Sequence, residues 1–236
     1  MKYNNILSQI MPPVLADGLR RIRYAMASSF APHPIPSADV KEQDLDLYWD
    51  PKVAAILDTW GAGTVWEEIK YLLVNCEGSV LDIACGTGKN IEMNSFIKEI
   101  EIHGFDISDA LIQKAKDRGI PHHRLQVCDA THTPYQTDQF NYGYSIGSLE
   151  HFTDEGINKF LSEVNRVVKR RSFHMIPVSR SGIDEGWLKT MQSAHNNSVK
   201  WWMGKFEAHF SNVYILDSRW SDILSEGKWF VCDKRS

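Results

Sequence analysis

The sequence has few cysteines, little net charge and no long apolar run. Its 236 residues include 4 cysteines with no CxxC pair and no zinc-type Cys/His spacing, so we expect reduced thiols and predict no metal site. The formal net charge is −4, which argues against a broad basic face for nucleic acid. No apolar stretch approaches the roughly 20 residues of a membrane span, and the first thirty residues lack the apolar region of a signal peptide. We therefore predict a soluble cytoplasmic protein that does not bind nucleic acid.

The composition and length are those of one globular domain with a small appendage. Hydrophobic residues make up 43% and charged residues 24% of the chain. In residues 1–40, apolar residues recur at helical spacing beside three arginines, and three prolines follow, which predicts a basic amphipathic helix and a Pro-rich linker. This helix could pack on the main body or on a second subunit, or make weak contact with a membrane surface. Residues 41–236 form the main domain, whose oligomeric state we leave open.

From residue 79 onward, short apolar runs alternate with helical patterns. This alternation indicates βαβ units and a parallel sheet covered by helices on both faces. The last two strands lie about a dozen residues apart, which favours an antiparallel pair. We predict a Rossmann-like, doubly wound α/β fold with a mostly parallel sheet, an antiparallel final strand, and helical cap elements at 45–77 and 182–209. In the first cap element, the Thr64-x-x-Glu67 spacing predicts a capping box.

The most informative segment is VLDIACGTGKN at 80–90. A buried strand ends near Asp82, and the turn through Gly86 and Gly88 lets the backbone approach a ligand at the carboxyl end of the sheet. The third glycine of a dinucleotide fingerprint is absent, and this argues against an NAD site. The carboxylate of Asp82 would suit the ammonium group of a zwitterionic ligand.

Four segments in order resemble the class I S-adenosylmethionine-dependent methyltransferases. VLDIACGTG resembles motif I of this family, HGFDIS (103–108) its second strand, and QVCDAT (126–131) its third strand. YSIGSLEHF (144–152) resembles the loop after the fourth strand in the small-molecule branch. The opening of the chain also bears a weak likeness to methyltransferases of polysaccharide biosynthesis. The resemblance implies S-adenosyl-L-methionine as the cofactor and methyl transfer as the activity.

The resemblance also implies roles for individual residues. Asp106 would accept hydrogen bonds from both ribose hydroxyls, Asp129 would face the adenine amino group, and the Ala130 N–H would face a ring nitrogen. The backbone of 144–152 would line the methionine part of the cofactor. The predicted cofactor-binding residues are Trp66, Asp82, Ala84, Cys85, Gly86, Thr87, Gly88, Asp106, Ile107, Asp129, Ala130, Ser145, Ile146 and Glu150.

His151 is the candidate catalytic residue, as a general base, because histidine suits proton transfer near neutral pH; the alternative is a packing or cofactor-lining histidine. Some family members with an O-methyl product bind a divalent ion through Glu-x-x-Glu-His, but Gly147 stands at the first position here. The Asn/Asp-Pro-Pro-Tyr/Phe loop of enzymes that methylate planar amino groups is replaced by Ser-Ile-Gly-Ser at 145–148. We therefore expect O-methylation of a small molecule or glycan precursor.

Two other functions stay open. A catalytically inactive S-adenosylmethionine-binding scaffold or sensor would keep the cofactor motifs, and the run Lys169–Ser172, where relatives often have a Pro-Gly-Gly turn, is compatible with it. An NAD-dependent oxidoreductase is the second alternative.

Overall fold

The computed structural model describes residues 35–36, 43–189 and 192–235. Contacts between Cα atoms divide the chain into two units, Met1–Ile35 and Pro36–Ser236. The predicted basic amphipathic helix, its linker and its membrane-surface contact lie outside the described residues. Within those residues, no helix is long and apolar enough to cross a membrane.

The alternation of apolar runs and turn residues along the sequence corresponds to the following strands and helices. The strands are β1 (Ile35–Pro36), β2 (Gly78–Ile83), β3 (Ile100–Asp106), β4 (Leu125–Val127), β5 (Phe140–Ile146), β6 (Val168–Ser179), β7 (Trp187–Lys189), β8 (Ser193–His195), β9 (Asn212–Ser221) and β10 (Ser225–Asp233). The helices are α1 (Pro51–Leu57), α2 (Val65–Leu73), α3 (Lys89–Asn94), α4 (Asp109–Asp117), α5 (Asp154–Val167) and α6 (Val199–His209). Short 3₁₀ turns are formed by Leu45–Trp49, His122–Arg124 and Leu149–His151.

The main sheet has seven strands in the order β4-β3-β2-β5-β6-β10-β9. The five strands β4, β3, β2, β5 and β6 are parallel to one another. The strand β10 runs antiparallel to its two neighbours, β6 and β9. The predicted fold is therefore confirmed. Because β2, β3, β4 and β5 are parallel, their carboxyl ends meet at one edge of the sheet, where open α/β sheets bind ligands.

Successive residues of each strand face opposite sides of the sheet, and this alternation builds two apolar clusters. Val80 of β2 belongs to the cluster that includes Ile69 and Leu73 of α2. Its neighbour Leu81 belongs to the cluster that includes Phe160 of α5 and Phe206 of α6. Each such buried side chain stabilises the fold by about 1.5–3 kcal/mol relative to exposure. The sheet edge that carries the strand-end residues is thus held between two packed layers.

Two local predictions differ from the structure. The sequence predicts a helical segment at 182–209, but this segment contains the antiparallel strand pair β7–β8 before the helix α6. Its strands are only three residues long, too short to show an alternating pattern, while Trp202 and Phe206 are spaced as in a helix. Thr64 precedes α2 but makes no side-chain cap; its hydroxyl donates instead to the Gly61 carbonyl at 3.3 Å. By contrast, Asp50 caps α1 and Ser108 caps α4.

Candidate functional site

A buried carboxyl group lies near the end of β2. Asp82 is 3% exposed, and the hydroxyl of Tyr144, its register partner on β5, donates to Asp82 Oδ2 at 2.9 Å. Burial raises the pKa of Asp82 well above its usual value, the Tyr144 hydrogen bond opposes this shift, and the nearby Asp106 charge adds to it. Asp82 therefore carries a carboxyl group that, among the described residues, has no cationic partner.

The turn after β2 joins the strand to α3 and exposes backbone to the cavity. A Cβ at Gly86 would meet only Leu57 Cδ1, at 3.5 Å, so the space beside this residue is open. Gly88 has a φ of +72°, and a Cβ there would lie 2.6 Å from Ile120 Cδ1 and 2.8 Å from Ala115 Cβ. Glycine at position 88 is therefore required by backbone conformation and by packing against α4.

Asp106 ends β3 and turns its carboxyl group toward the same edge of the sheet. Its Oδ2 accepts the N–H of Gly86 at 2.9 Å, and its Oδ1 accepts the N–H of Ser108 at 3.0 Å. The residue is 5% exposed; burial raises its pKa, while the backbone hydrogen bonds oppose that rise. Each carboxylate oxygen has a second acceptor position, so two further donors can bind here.

Asp129 follows β4 and is held by a local turn. The backbone N–H and the hydroxyl of Thr131 both donate to Asp129 Oδ1 at 2.8 Å. Both of these bonds use the same oxygen, so Oδ2 keeps acceptor capacity, and the side chain lines the cavity beside Ala130. The three acidic residues at the ends of β2, β3 and β4 therefore border one cavity.

The cap segment (residues 43–60) covers this edge and is fixed to the sheet domain by hydrogen bonds. Trp49 Nε1 donates to Asp109 Oδ1 at 2.8 Å, and the Ser108 hydroxyl donates to the Tyr48 carbonyl at 2.8 Å. Asp58 accepts the Thr87 hydroxyl and pairs with Arg118 at 2.6 Å. These contacts place apolar residues of the cap segment along the cavity wall.

The loop after β5 passes directly beneath the cap segment. Gly147 has a φ of +61°, and a Cβ there would lie 2.7 Å from Trp60 Cη2. A residue with a side chain would therefore need both a strained backbone and a displaced Trp60. This packing explains why glycine, and not a metal-binding glutamate, occupies the position three residues before Glu150.

Glu150 and His151 follow on a 3₁₀ turn and differ in their partners. Glu150 is 4% exposed, and its Oε2 has no hydrogen-bond partner among the described residues. Burial raises the pKa of Glu150 to about 8, against a small opposing effect of its own backbone N–H. The carboxyl group is therefore protonated at neutral pH.

His151 Nδ1 lies 2.9 Å from the carbonyl of Ser193 on β8. A carbonyl only accepts, so Nδ1 carries the proton of the neutral ring, and Nε2 lies 3.7 Å from Glu150 Oε1. Burial lowers the pKa of His151 to about 4, while the Ser193 hydrogen bond and the Asp44 charge oppose that shift. The ring is neutral at pH 7 but only weakly basic.

These elements enclose a cavity of about 610 Å³, within the usual range for small-molecule sites. Its strand-end half is lined by residues that follow β2, β3 and β4. Its outer half is lined by the Leu149–His151 turn, the β7–β8 pair and the β9–β10 turn. The predicted residues that line the cavity are Trp66, Asp82, Ala84, Cys85, Gly86, Thr87, Asp106, Ile107, Asp129, Ala130, Ile146, Glu150 and His151.

Gly88 and Ser145 are the two predicted site residues that do not line the cavity. Gly88 packs against α4, as described above. Ser145 is buried on the opposite face of β5 from Ile146, where its hydroxyl lies 2.8 Å from His174 Nδ1. Strand alternation alone places neighbouring residues on opposite faces, so the sequence does contain a signal for this difference.

Several lining residues of the outer half carry no signal that would predict them individually. They are Leu188, Gln192, His195, Asn196, Leu224 and Ser225. They come from the β7–β8 pair and the β9–β10 turn, which are distant in sequence and carry no local motif. Within residues 43–189 and 192–235, no group of three or more His, Cys, Asp or Glu residues could hold a metal ion.

Comparison with known proteins finds a family model that matches the central part of the chain. A family model described as a methyltransferase domain matches residues 80–171. A mouse protein named probable tRNA methyltransferase 9B is 33% identical over 106 residues, which cover 44% of this chain and 22% of that protein. The yeast tRNA (carboxymethyluridine(34)-5-O)-methyltransferase is 35% identical over 86 residues, 36% of this chain and 29% of the relative. Other curated relatives are named O-methyltransferases.

Among solved structures, a 1,6-didemethyltoxoflavin-N1-methyltransferase from Burkholderia thailandensis aligns with a TM-score of 0.65 at 13% identity. The alignment covers 86% of this chain and 94% of that one; at this identity the likeness concerns the fold. The chain spans only about a fifth to a half of the length of the curated relatives it matches.

These relatives overturn one expectation. The prediction that nucleic acid is excluded as a partner is wrong, because proteins named as tRNA methyltransferases are among the sequence relatives. The prediction rested on the mean charge of −4, which averages over the whole surface. A methyltransferase that acts on one nucleotide needs only that nucleotide in its pocket, so the mean charge does not decide whether the acceptor is a nucleic acid.

Proposed function

We propose that the chain is a class I S-adenosylmethionine-dependent methyltransferase and that it methylates an oxygen atom of its acceptor. The methyltransferase-domain match at residues 80–171 and the shared fold support the activity. Two features support oxygen as the methylated atom. The yeast relative is named for 5-O-methylation, and the loop at 145–148 lacks the Asn/Asp-Pro-Pro-Tyr/Phe pattern of enzymes that methylate planar amino groups. S-Adenosylmethionine supplies a methyl group on a positively charged sulfur.

The strand-end half fits this cofactor in its charges and in its space. Among the described residues, neither Asp82 nor Asp106 pairs with a lysine or arginine, although both are buried. A buried carboxylate without a cation is costly, and a ligand that carries an ammonium and a sulfonium would supply positive charge there. The open space beside Gly86 leaves room for such a ligand.

We assign a role to each acidic residue of this half. Asp106 accepts the two ribose hydroxyls at its remaining acceptor positions, and Asp129 faces the adenine. Asp82 lies toward the ammonium end. The outer half of the cavity then receives the acceptor. A nucleotide of a tRNA is one acceptor that the named relatives favour.

The observation that carries this proposal is the placement of Asp106 between Gly86 and Ser108 with acceptor capacity left over. Calorimetry with S-adenosylmethionine tests it, with Asp106→Ala as the variant. Loss of two charge-assisted hydrogen bonds, at about 1.5 kcal/mol or more each, predicts binding weakened by about 100-fold.

Asp117→Ala is the matched control, because it removes the same charge from an exposed position at the end of α4. It should leave the affinity unchanged. No binding to the wild-type chain at millimolar cofactor, or equal losses in both variants, would contradict the proposal. Binding without turnover on oxygen acceptors, tRNA included, would favour the inactive scaffold.

A further inference from the structure

The outer half of the cavity contains buried polar atoms that have no partner. Glu150 Oε2, the Ser148 hydroxyl oxygen and both ring nitrogens of His195 are buried without a hydrogen bond among the described residues, and all three residues line the cavity. Nearly all buried polar groups in native proteins are hydrogen-bonded, so each exception needs a ligand, a water or another explanation. The clustering of three exceptions on one wall indicates a binding site.

All three groups are uncharged at neutral pH. Glu150 is protonated because burial raises its pKa to about 8. Burial lowers the pKa of His195 to about 4, so its ring is neutral. Lys159 and Glu155, which pair at 2.6 Å, are exposed and lie at the rim of the cavity. The three unpartnered groups therefore offer hydrogen-bond donors and acceptors without a fixed charge.

Neither histidine on this wall is a good base at neutral pH. His151 donates its Nδ1 proton to the Ser193 carbonyl, and among the described residues no carboxylate accepts from that nitrogen to raise the basicity of the ring. Burial lowers the pKa of His151 to about 4, well below the value that suits proton removal at pH 7. This wall therefore lacks a histidine suited to remove a proton from an acceptor during the reaction.

An acceptor that arrives ionised needs no base. Among oxygen acceptors, a carboxylic acid is ionised at neutral pH, since its pKa is about 4. Its negative charge would be matched by the sulfonium of the cofactor, and its oxygens would be met by neutral donors. A hydrogen bond from an O–H to a carboxylate is short and among the strong ones.

Resting on the proposed function, we propose that Glu150 binds a carboxylate acceptor: its O–H donates to one carboxylate oxygen, while the other oxygen receives the methyl group. The attacking oxygen supplies the electron pair of the new C–O bond, the methyl carbon–sulfur bond breaks, and its electron pair stays on sulfur. The products are a methyl ester and a neutral thioether, and no proton is transferred. Ser148 and His195 add hydrogen bonds to the same acceptor.

Other titratable groups near Glu150 must be considered in any pH experiment. His151 is adjacent on the same turn, Tyr48 faces it from the cap segment with a phenol whose pKa burial raises, and His195 lies on β8, which packs against that turn. Asp44 lies near His151 and is paired with Lys189 at 2.5 Å. Of these groups, Glu150 is the one whose pKa of about 8 places its ionisation just above neutral pH.

The test compares a carboxylate with its amide on the cofactor-bound protein. Sinefungin, which carries an ammonium in place of the sulfonium, occupies the cofactor site without transferring a methyl group. Phenylacetate and phenylacetamide share one ring and differ only in the carboxylate, and both are titrated calorimetrically at pH 6.5, 7.5, 8.5 and 9.5. Sinefungin binding is measured first on every variant, which separates failure of the cofactor site from failure of the acceptor site.

We expect phenylacetate to bind at least about tenfold more tightly than phenylacetamide at pH 6.5, and to lose about tenfold in affinity per pH unit well above 8, as Glu150 ionises. Glu150→Gln keeps a neutral donor, so phenylacetate should still bind and its pH dependence should disappear. Glu150→Leu should abolish the preference for the carboxylate. Glu99→Gln removes a carboxyl group from an exposed position outside the cavity and should behave as wild type.

Equal affinity for the two probes, no binding of phenylacetate to the sinefungin complex, or a pH profile unchanged in Glu150→Gln would each overturn the proposal. If Glu150→Leu does not fold, the Gln variant and its pH profile decide alone. Failure of sinefungin to bind the wild-type chain would instead count against the proposed function.

Discussion

The two halves of the cavity differ in how their buried titratable side chains are hydrogen-bonded. In the strand-end half, both deeply buried carboxyl groups have partners: Asp82 accepts from Tyr144, and Asp106 accepts from two backbone N–H groups. In the outer half, Glu150 and His195 hold buried atoms with no partner in the described part of the chain. The buried carboxyl groups of the first half are therefore held before a ligand arrives, whereas Glu150 and His195 need a ligand or water to complete their hydrogen bonds.

The halves also differ in how they are supported. The strand-end residues follow central strands of the sheet, held on both sides by neighbouring strands and packed helices. The outer half depends on the short β7–β8 pair, which is held to the cap segment through Asp44 and through the hydrogen bond from Gln192 to the Tyr48 hydroxyl. Because the outer half is attached separately, its residues can vary without disturbing the sheet that supports the strand-end half.

The largest expected effect concerns the His151 ring, which is neutral at pH 7 in the outer half of the cavity. Burial lowers the pKa of His151 to about 4, against about 6.5 in the unfolded chain. The unfolded state therefore binds more protons between these values, and the folded state loses stability as the pH falls through this window. His151→Asn keeps an N–H for the Ser193 carbonyl but cannot titrate. Relative to this variant, the wild-type free energy of unfolding should fall by up to about 3 kcal/mol between pH 7 and pH 4.

Urea denaturation at pH 7, 5.5 and 4 measures this difference. His123→Asn removes an exposed histidine and is the matched control, whose profile should follow the wild type. Parallel profiles for His151→Asn and the wild type would mean that the outer half is open to solvent, and the contrast between the halves would fail.

The second prediction tests the boundary between the halves. Gly147→Ala places a Cβ at a φ of +61° and 2.7 Å from Trp60 Cη2, so we expect a loss of about 2 kcal/mol in the free energy of unfolding. Gly204 lies within α6, and a Cβ there would have no neighbouring atom within 4 Å, so Gly204→Ala should instead stabilise by about 0.5–1 kcal/mol. Urea denaturation at pH 7 gives both values. Effects of the same sign would show that Gly147 is not constrained by the cap segment.

The strand-end half is largely predictable from sequence, and the reason is physical. Asp82, Asp106 and Asp129 each lie at or just beyond the end of a strand that shows as a short apolar run, and parallel strands bring their ends together. The one side chain misplaced there, Ser145, faces His174 because neighbours on a strand point to opposite sides. The glycine turn is recognisable as a ligand-binding motif, although Gly88 itself serves packing.

The outer half cannot be predicted in the same way. Its walls come from segments more than 100 residues apart, such as Tyr48 and Gln192, and such contacts leave no spacing in the sequence. The strands of β7–β8 are three residues long, so the helical i, i+4 spacing of Trp202 and Phe206 is the stronger local signal. Glu150 Oε2 is buried without a hydrogen-bond partner because all these segments together cover it.

The smallest effect tests the attachment of the outer half. Asp44 accepts the Lys189 ammonium at 2.5 Å and the Ser193 N–H at 2.8 Å. Burial raises the pKa of Asp44, but these hydrogen bonds outweigh that effect and lower it to about 2, so the carboxylate is charged throughout the neutral range. Asp44→Ala removes both contacts and should cost about 1 kcal/mol, whereas Lys189→Ala removes only the exposed ion pair and should cost about 0.5 kcal/mol or less.

Hydrogen exchange localises this effect better than global unfolding does. In Asp44→Ala, amides of residues 192–195 should exchange roughly fivefold faster, which corresponds to about 1 kcal/mol. Amides of residues 78–83 in β2 should be unchanged, because the sheet holds them independently of the cap segment. Faster exchange in both segments would mean that the two halves open together, and the strand-end half would then not be an independent, preorganised site.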